Sequence, residues 1–298
     1  MHTPFPYFGE TLSLLTAIIW ALAVVLFKKS GENVRPLALN LFKNTLAATL
    51  FIPTMLIFKE TLFRAVPAGD YFLLILSGFI GIGIGDTLLF KSLNILGAGL
   101  SAIIVSLYSP FIIALSMLWL GERLTLLQII GAIIIVAAVL ITTQAKKNGQ
   151  LGRKHLLLGI LYGVIATAAM AIGIVMIKPL LNKSPLLWAT EVRLLGASTS
   201  LILITAIHPQ RRKIIASLKS KKSWVYMLSG SFLGAYFAMF IWLAGMKYAN
   251  ASIASALNQT STLFVFLFAA LILHESITPR KIFALFFAVL GSFIVFFG

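Results

Sequence analysis

Ten stretches of mostly apolar residues, each close to the length of a bilayer crossing, follow one another along this chain with little between them. They cover residues 10–28, 36–58, 71–92, 98–120, 126–144, 156–178, 186–207, 223–246, 250–273 and 280–297. A helix needs about 20 apolar residues to cross about 30 Å of hydrocarbon. Backbone groups in lipid must be satisfied internally, which leaves helices or a closed barrel, and a barrel would show short alternating strands. These runs are apolar throughout. The expected fold is therefore an all-α integral membrane protein with ten transmembrane helices. Breakers such as Gly31, Pro36, Pro67, Gly97, Gly121, Pro185, Pro209 and Pro279 fall between the runs. No connection is long enough for a soluble domain, so any activity must be built inside the bilayer.

Composition narrows the function. Of 298 residues, 60% are hydrophobic and 11% charged, against about 25% charged in a soluble domain. Mean hydropathy is +1.01. There is no cysteine, which removes disulfides, thiolate chemistry and Cys-based metal sites. The histidines His2, His155, His208 and His274 have no metal-ligand spacing, so neither metal nor cofactor is expected. The excess of 24 Lys+Arg over 8 Asp+Glu sits in clusters between the apolar runs, for example Lys28-Lys29, Lys146-Lys147, Arg153-Lys154 and Arg211-Arg212-Lys213. No nucleic-acid motif accompanies them, so they read as topology signals and contacts for anionic lipid, with no nucleic acid as partner. The opening MHTPFPYFGE lacks the basic region and small-residue cleavage site of a signal peptide.

The two halves repeat. At an offset of 153, Gly121-Glu122-Arg123-Leu124-Thr125 aligns with His274-Glu275-Ser276-Ile277-Thr278, Gly81 with Gly234, Ala98 with Ala251 and Phe111 with Phe264. At an offset of 150 nearer the start of each half, Gly9 meets Gly159, Lys28 meets Lys178 and Lys43 meets Arg193. The organisation read from this is a first five-helix repeat at 1–145, a linker at 146–155 and a second repeat at 156–298. Five is odd, so the halves cross the membrane in opposite senses, the inverted-repeat signature of many secondary transporters.

Ten short spans in two repeats, with an acidic residue closing the fourth helix of each, resemble the EamA branch of the drug/metabolite transporter superfamily. The residues that carry the resemblance are Ser109-Pro110-Phe111, then Leu120-Gly121-Glu122-Arg123-Leu124 and Gly131, with counterparts Leu263-Phe264, His274-Glu275 and Thr278. Leu263 stands where the first repeat has Pro110, so a helix break there is expected on one side only. The resemblance implies a carrier of small metabolites, often an exporter of amino acids, nucleosides or toxic compounds, in the plasma membrane of a bacterial or archaeal cell.

A charge inside a bilayer is costly unless it is paired or wet, so intramembrane ionisable residues are functional candidates. Four stand inside spans: Lys43, Asp86, Glu191 and Arg193. Asp86 is the first choice for a proton-responsive group, because burial disfavours the charged form of a carboxyl. Glu191 and Arg193 are two apart and face different ways. Lys43 and Arg193 also sit where long side chains can reach the interface. Span nine carries Ser252, Ser255, Asn258, Gln259 and Thr262 at spacings of three and four, which puts them on one helix face. The matching positions of span four are polar only at Ser106 and Ser109. Such a stripe suits a cavity wall, and equally hydrogen bonds between packed helices. Trp20 and Thr16 in span one and Tyr108 in span four add possible walls. The expected substrate contacts are Trp20, Asp86, Ser106, Tyr108, Ser109, Asn258, Gln259 and Thr262, in a cavity lined from spans one, three, four, six, eight and nine. Lys43, Asp86, Glu191 and Arg193 are the candidates for charge or proton coupling. Trp119, Trp188, Trp224 and Tyr248 read as interfacial belt residues, and Glu122 and Glu275 as structural.

The favoured function is a secondary carrier for a small molecule, with protons as a coupling ion, working as a monomer. A channel or structural subunit is the alternative. A membrane-embedded enzyme is less favoured, since no zinc-protease, nucleophile-elbow or metal motif occurs. No phosphate-binding loop is present, so a gradient rather than ATP must supply the driving force. Connections after the odd-numbered spans carry sixteen Lys+Arg and the opposite face six. That bias places both termini outside, whereas the resemblance implies termini in the cytoplasm.

Overall fold

The structure is a computed structural model that describes residues 7–121, 125–143, 152–248 and 257–297. The described residues form ten long helices: α1 (Phe8–Ser30), α2 (Pro36–Ile57), α3 (Ala68–Leu96), α4 (Ala98–Leu120), α5 (Leu126–Thr143), α6 (Arg153–Val175), α7 (Leu186–Ile207), α8 (Lys221–Tyr248), α9 (Leu257–Ile272) and α10 (Pro279–Phe297). Short helices Lys178–Leu181 and Arg211–Ser217 lie in connections. By length and apolar character, α1, α3, α4, α6, α7 and α8 can each cross a bilayer unaided; α5 and α9 are shorter apolar helices, and α2 carries Asn40, Lys43 and Asn44.

Local sequence sets the helix ends. Pro36 opens α2 at its first turn, where a missing N–H costs nothing. Gly97 divides α3 from α4 at φ 87, a left-handed conformation that glycine tolerates without strain. Helix α3 is longer than the apolar run because Pro67 starts it early and nothing before Gly97 stops it.

The ten helices form two inverted five-helix repeats that exchange their first helices. Helix α1 packs on α8 and α9, and α6 packs on α3 and α4. Helix α2 pairs with α7, and α5 with α10. Small residues set the approach. A Cβ on Gly173 of α6 would come within 2.9 Å of Gly81 Cα on α3. At the related positions, a Cβ on Gly234 of α8 would come within 2.7 Å of Ala23 Cβ on α1. Close backbone approach of this kind replaces the hydrophobic drive that lipid cannot supply between helices. Large apolar side chains such as Leu203, Phe283 and Phe286 point outward, as a lipid-facing surface requires.

Two irregularities recur at the same register. The third helix of each repeat widens into a π-helical segment, Gly78–Asp86 in α3 and Ser231–Ala238 in α8. Such segments are rare and concentrate at functional sites. The fourth helix of each repeat loosens in mid-span, at Ser106-Leu107 in α4 and Thr260 in α9. The sequence expectation of a one-sided break is therefore corrected. In α4, Pro110 cannot donate to the carbonyl of Ser106. In α9, the Thr260 hydroxyl donates to the Leu257 carbonyl at 2.5 Å, and such back-bonding also disturbs a helix.

Trp188 is a further correction. It is fully buried rather than interfacial. Its indole N–H donates to the Leu62 carbonyl at 2.9 Å, and its backbone N–H donates to Glu60 Oε2 at 3.1 Å. Trp119 and Trp224 are exposed near helix ends, as a belt residue should be.

Candidate functional site

The polar residues of α2 meet the widened segment of α3. The amide nitrogen of Asn40 donates to the carbonyls of Ile82 and Gly83 and to Thr87 Oγ1, at 2.9, 3.0 and 2.9 Å. It thereby satisfies backbone oxygens that the irregular turn leaves open. Asn44 donates to Asn40 Oδ1 at 2.7 Å, which fixes the orientation of that amide. One turn along, Lys43 forms an ion pair with Asp86, their side chains 8% and 16% exposed. The Lys43 ammonium also lies 5.8 Å from the centre of the Phe90 ring.

This pair borders a cavity of about 100 Å³ between α1, α2, α3, α4, α6 and α9. Trp20, Lys43, Asp86, Ser101, Met170 and Thr262 are among its walls. Its rim is largely apolar, with Val24, Phe27, Leu89 and Val265, so the ion pair has little competing solvation. Among the described residues none of α8 lines it, although the sequence reading expects one; Gly230 and Gly234 bring α8 flush against Phe27 and Ala23 of α1.

A second polar chain approaches Asp86 from the other repeat. Arg193 Nε donates to Ser77 Oγ at 3.0 Å, and the Ser77 hydroxyl donates to the Gly173 carbonyl at 2.5 Å. This links α7, α3 and α6. Arg193 lies within electrostatic range of Tyr108 and Asp86 without a direct ion pair to either. Of the two bases at matching positions of the repeats, Lys43 pairs directly with Asp86 and Arg193 is held by Ser77.

The remaining candidates fall elsewhere. Gln259 Nε2 donates to Ser109 Oγ at 2.8 Å and ties α9 to α4 beside the loosened turns. Ser106 is buried and bonds back to the Ala102 carbonyl at 3.4 Å. Asn258 has a buried side-chain oxygen without a hydrogen-bond partner among the described residues. Of the span-nine stripe, Thr262 reaches the cavity, whereas Ser252 and Ser255 lie outside the described residues, as does Glu122. Thr16 bonds its own helix at Leu12. Glu191 is fully buried on α7, and neither carboxylate oxygen has a partner among the described residues. Glu275 is structural, accepting the backbone N–H groups of Ala98 and Gly99 at 2.6 and 3.1 Å.

Sequence reasoning did not single out Asn40, Asn44 or Ser77. The signal was available for the first two: three polar residues within five positions of a span, Asn40, Lys43 and Asn44, are more than a lipid-facing helix tolerates. Among the described residues no cluster of His, Asp or Glu could hold a metal ion.

With this geometry in place, the chain can be set beside known proteins. The model of the EamA-like transporter family matches residues 7–144 and again 157–297. An "Uncharacterized transporter" of Archaeoglobus fulgidus is 23% identical over 280 residues, covering 94% of this chain and 95% of that protein. A "Probable amino-acid metabolite efflux pump" of Salmonella typhimurium is 24% identical over 298 aligned residues, covering 96% of this chain and 94% of the other. A crystal structure at 17% identity superposes with a TM-score of 0.69 over 96% of this chain and 95% of that one, which shows a shared fold.

Proposed function

Because the chain belongs to the EamA-like transporter family, we propose that this multi-pass membrane transporter is a secondary active exporter of small metabolites. It acts in the plasma membrane of a bacterial or archaeal cell as a monomer, by alternating access around the cavity that holds Lys43 and Asp86. That ion pair carries the reading. It sits where α1–α4 of one repeat meet α6 and α9 of the other, the place where inverted repeats bind substrate. The cavity volume of about 100 Å³ holds about three waters, so this conformation is closed and must widen to load.

The charges favour one kind of solute. Lys43 and Asp86 neutralise each other, and Arg193, within electrostatic range of Asp86, has no ion-pair partner of its own among the described residues, which leaves a positive charge in excess. A carboxylate-bearing solute neutralises that excess, and an amino acid would also offer its ammonium group to Asp86. The name of the Salmonella relative accords with an amino acid and with outward movement. Nucleosides and cationic compounds fit these charges less well. Thr262 and Trp20 supply a hydroxyl and an aromatic wall.

Glu191 is the better proton carrier. Asp86 is paired with Lys43, whereas Glu191 has no ion-pair or hydrogen-bond partner among the described residues. Ionising it requires water or a change of packing, which couples its proton to the conformational cycle.

The test is efflux from proteoliposomes loaded with a labelled amino-acid mixture, with and without an imposed pH gradient. Gradient-dependent release of one or more amino acids by the wild-type chain, lost in Asp86→Asn, is the expected result. Equal retention of every amino acid under all gradients would overturn the reading.

A further inference from the structure

A second and larger concavity lies away from the central cavity. A groove of about 620 Å³ runs between α2, α3 and α7, from Gly83 in the widened segment to the end of the bundle where α2 begins and α7 ends. Its origin is a divergence of two helices. Nearer the middle, α3 and α7 touch closely, and a Cβ on Gly196 would come within 2.7 Å of Ile75 Cα. Past Gly83 and Ser200 they separate, leaving a wedge.

The wedge is graded in polarity. Its inner walls are aliphatic, with Ile84, Leu88, Leu201 and Ile204, and its mouth carries Arg35, Lys91 and His208. No carboxylate is among the lining residues. The Arg35 guanidinium is held at the mouth by Gln210 Oε1, 2.5 Å away. Lys91 stands 5.3 Å from the centre of the Tyr162 ring. From Gly83 to Lys91 the helix rises about 12 Å, so the aliphatic part reaches well into the hydrocarbon. The groove shares no lining residue with the cavity of the ion pair. Asn40, fully buried, bonds Gly83 and Thr87 of the groove wall.

We propose that this groove is a binding site for an anionic phospholipid, with the acidic headgroup between Arg35 and Lys91 and one acyl chain along Leu201 and Ile204. A uniformly apolar cleft would accept any lipid; two cations at the headgroup level select for negative charge. The adjoining connection strengthens the match. In the short helix Arg211–Ser217, Ile214 is buried and also lines the groove, while Arg211, Arg212 and Lys213 are exposed. An apolar anchor beneath a cationic surface lies at the membrane interface, level with the groove mouth. This inference is independent of the transported solute.

The full chain in detergent, exchanged into an equimolar mixture of phosphatidylglycerol and phosphatidylcholine with matched acyl chains, tests it by native mass spectrometry. Phosphatidylglycerol should be retained in preference. The double variant Arg35→Gln/Lys91→Gln should reduce that retention about tenfold, the order expected for two partly screened cations near a membrane surface. Arg35→Lys/Lys91→Arg should preserve it, as should Arg212→Gln/Lys213→Gln outside the groove. Ile204→Trp fills the cleft without changing charge and should also lower retention. Size-exclusion profiles matching wild type show that the variants are folded. Glycerol phosphate should not displace the bound lipid. Equal retention of the two lipids would overturn the proposal. So would unchanged phosphatidylglycerol binding in the Gln/Gln or Trp variant, or displacement by glycerol phosphate, which would assign the site to a soluble anion.

Discussion

The carboxylate of Glu275, at the end of α9, accepts the backbone N–H of Ala98 at the start of α4, 177 residues earlier in the chain. It also takes the N–H of Gly99. Two of the donors that every helix start leaves open are thus satisfied by the opposite repeat, with the negative charge on the favourable end of the helix dipole. Lys28 extends the junction, donating to the Asn94 carbonyl at 2.9 Å.

Replacing Glu275 by Ala should therefore destabilise the bundle although the residue lies far from the cavity. The expected loss is about 1–2 kcal/mol, read as a lower midpoint of thermal unfolding in detergent. Lys28→Met should have a smaller effect. A Glu275→Ala midpoint equal to wild type would mean that the cap contributes nothing.

The Lys43–Asp86 pair should respond unequally to loss of either partner. Asp86→Leu leaves the buried Lys43 ammonium without its acid, and a broken buried pair costs about 3–5 kcal/mol. Lys43→Met leaves Asp86 within electrostatic range of Arg193 and should cost less. The double variant Lys43→Met/Asp86→Leu should regain much of the stability and none of the transport. Unfolding midpoints and counterflow in liposomes separate the two quantities.

Glu191→Gln keeps the shape of the buried side chain and removes its titration. The variant should fold as wild type does, and its transport should lose its dependence on an imposed pH gradient. Measuring efflux at several gradients decides between carriers: an unchanged response would assign the proton to Asp86.

Bulk at the two repeat-related contacts should have matching effects. Gly173→Leu would drive α6 from Gly81, and Gly234→Leu would drive α8 from Ala23. Overpacking of this kind costs about 1–3 kcal/mol. Gly69, where an added Cβ meets nothing within 4 Å, provides the neutral control. Thermal unfolding of the three variants tests the internal symmetry of the bundle.

Much of the scaffold could be read from the chain because lipid imposes a simple rule on span length, and because Gly81 and Gly234 keep their register across the repeats. The pairing of charges could not. Lys43 and Asp86 are on different helices, and Asp86 closes the π-helical turn, which glycine content alone does not place. The polar face of span nine divides in the structure: Gln259 donates to Ser109, joining α9 to α4, and Thr262 lines the cavity. Spacing along one helix does not say which of its polar residues meets a neighbour and which meets a cavity. Glu191 was visible as a charge in a span, but its isolation needed three dimensions.

The exchange of first helices also constrains how the protein can be made. Helix α1 leaves the ribosome first, yet its packing partners α8 and α9 begin at Lys221 and Leu257. During most of synthesis α1 must wait in the membrane with Ser13 and Thr16 bonded only to carbonyls of their own helix. Those back-bonds let the waiting helix reside in lipid without exposed hydroxyl donors. Assembly can close only when the second half has been inserted, so a chain truncated before α8 would present an unfinished seam to the quality-control proteases of the membrane.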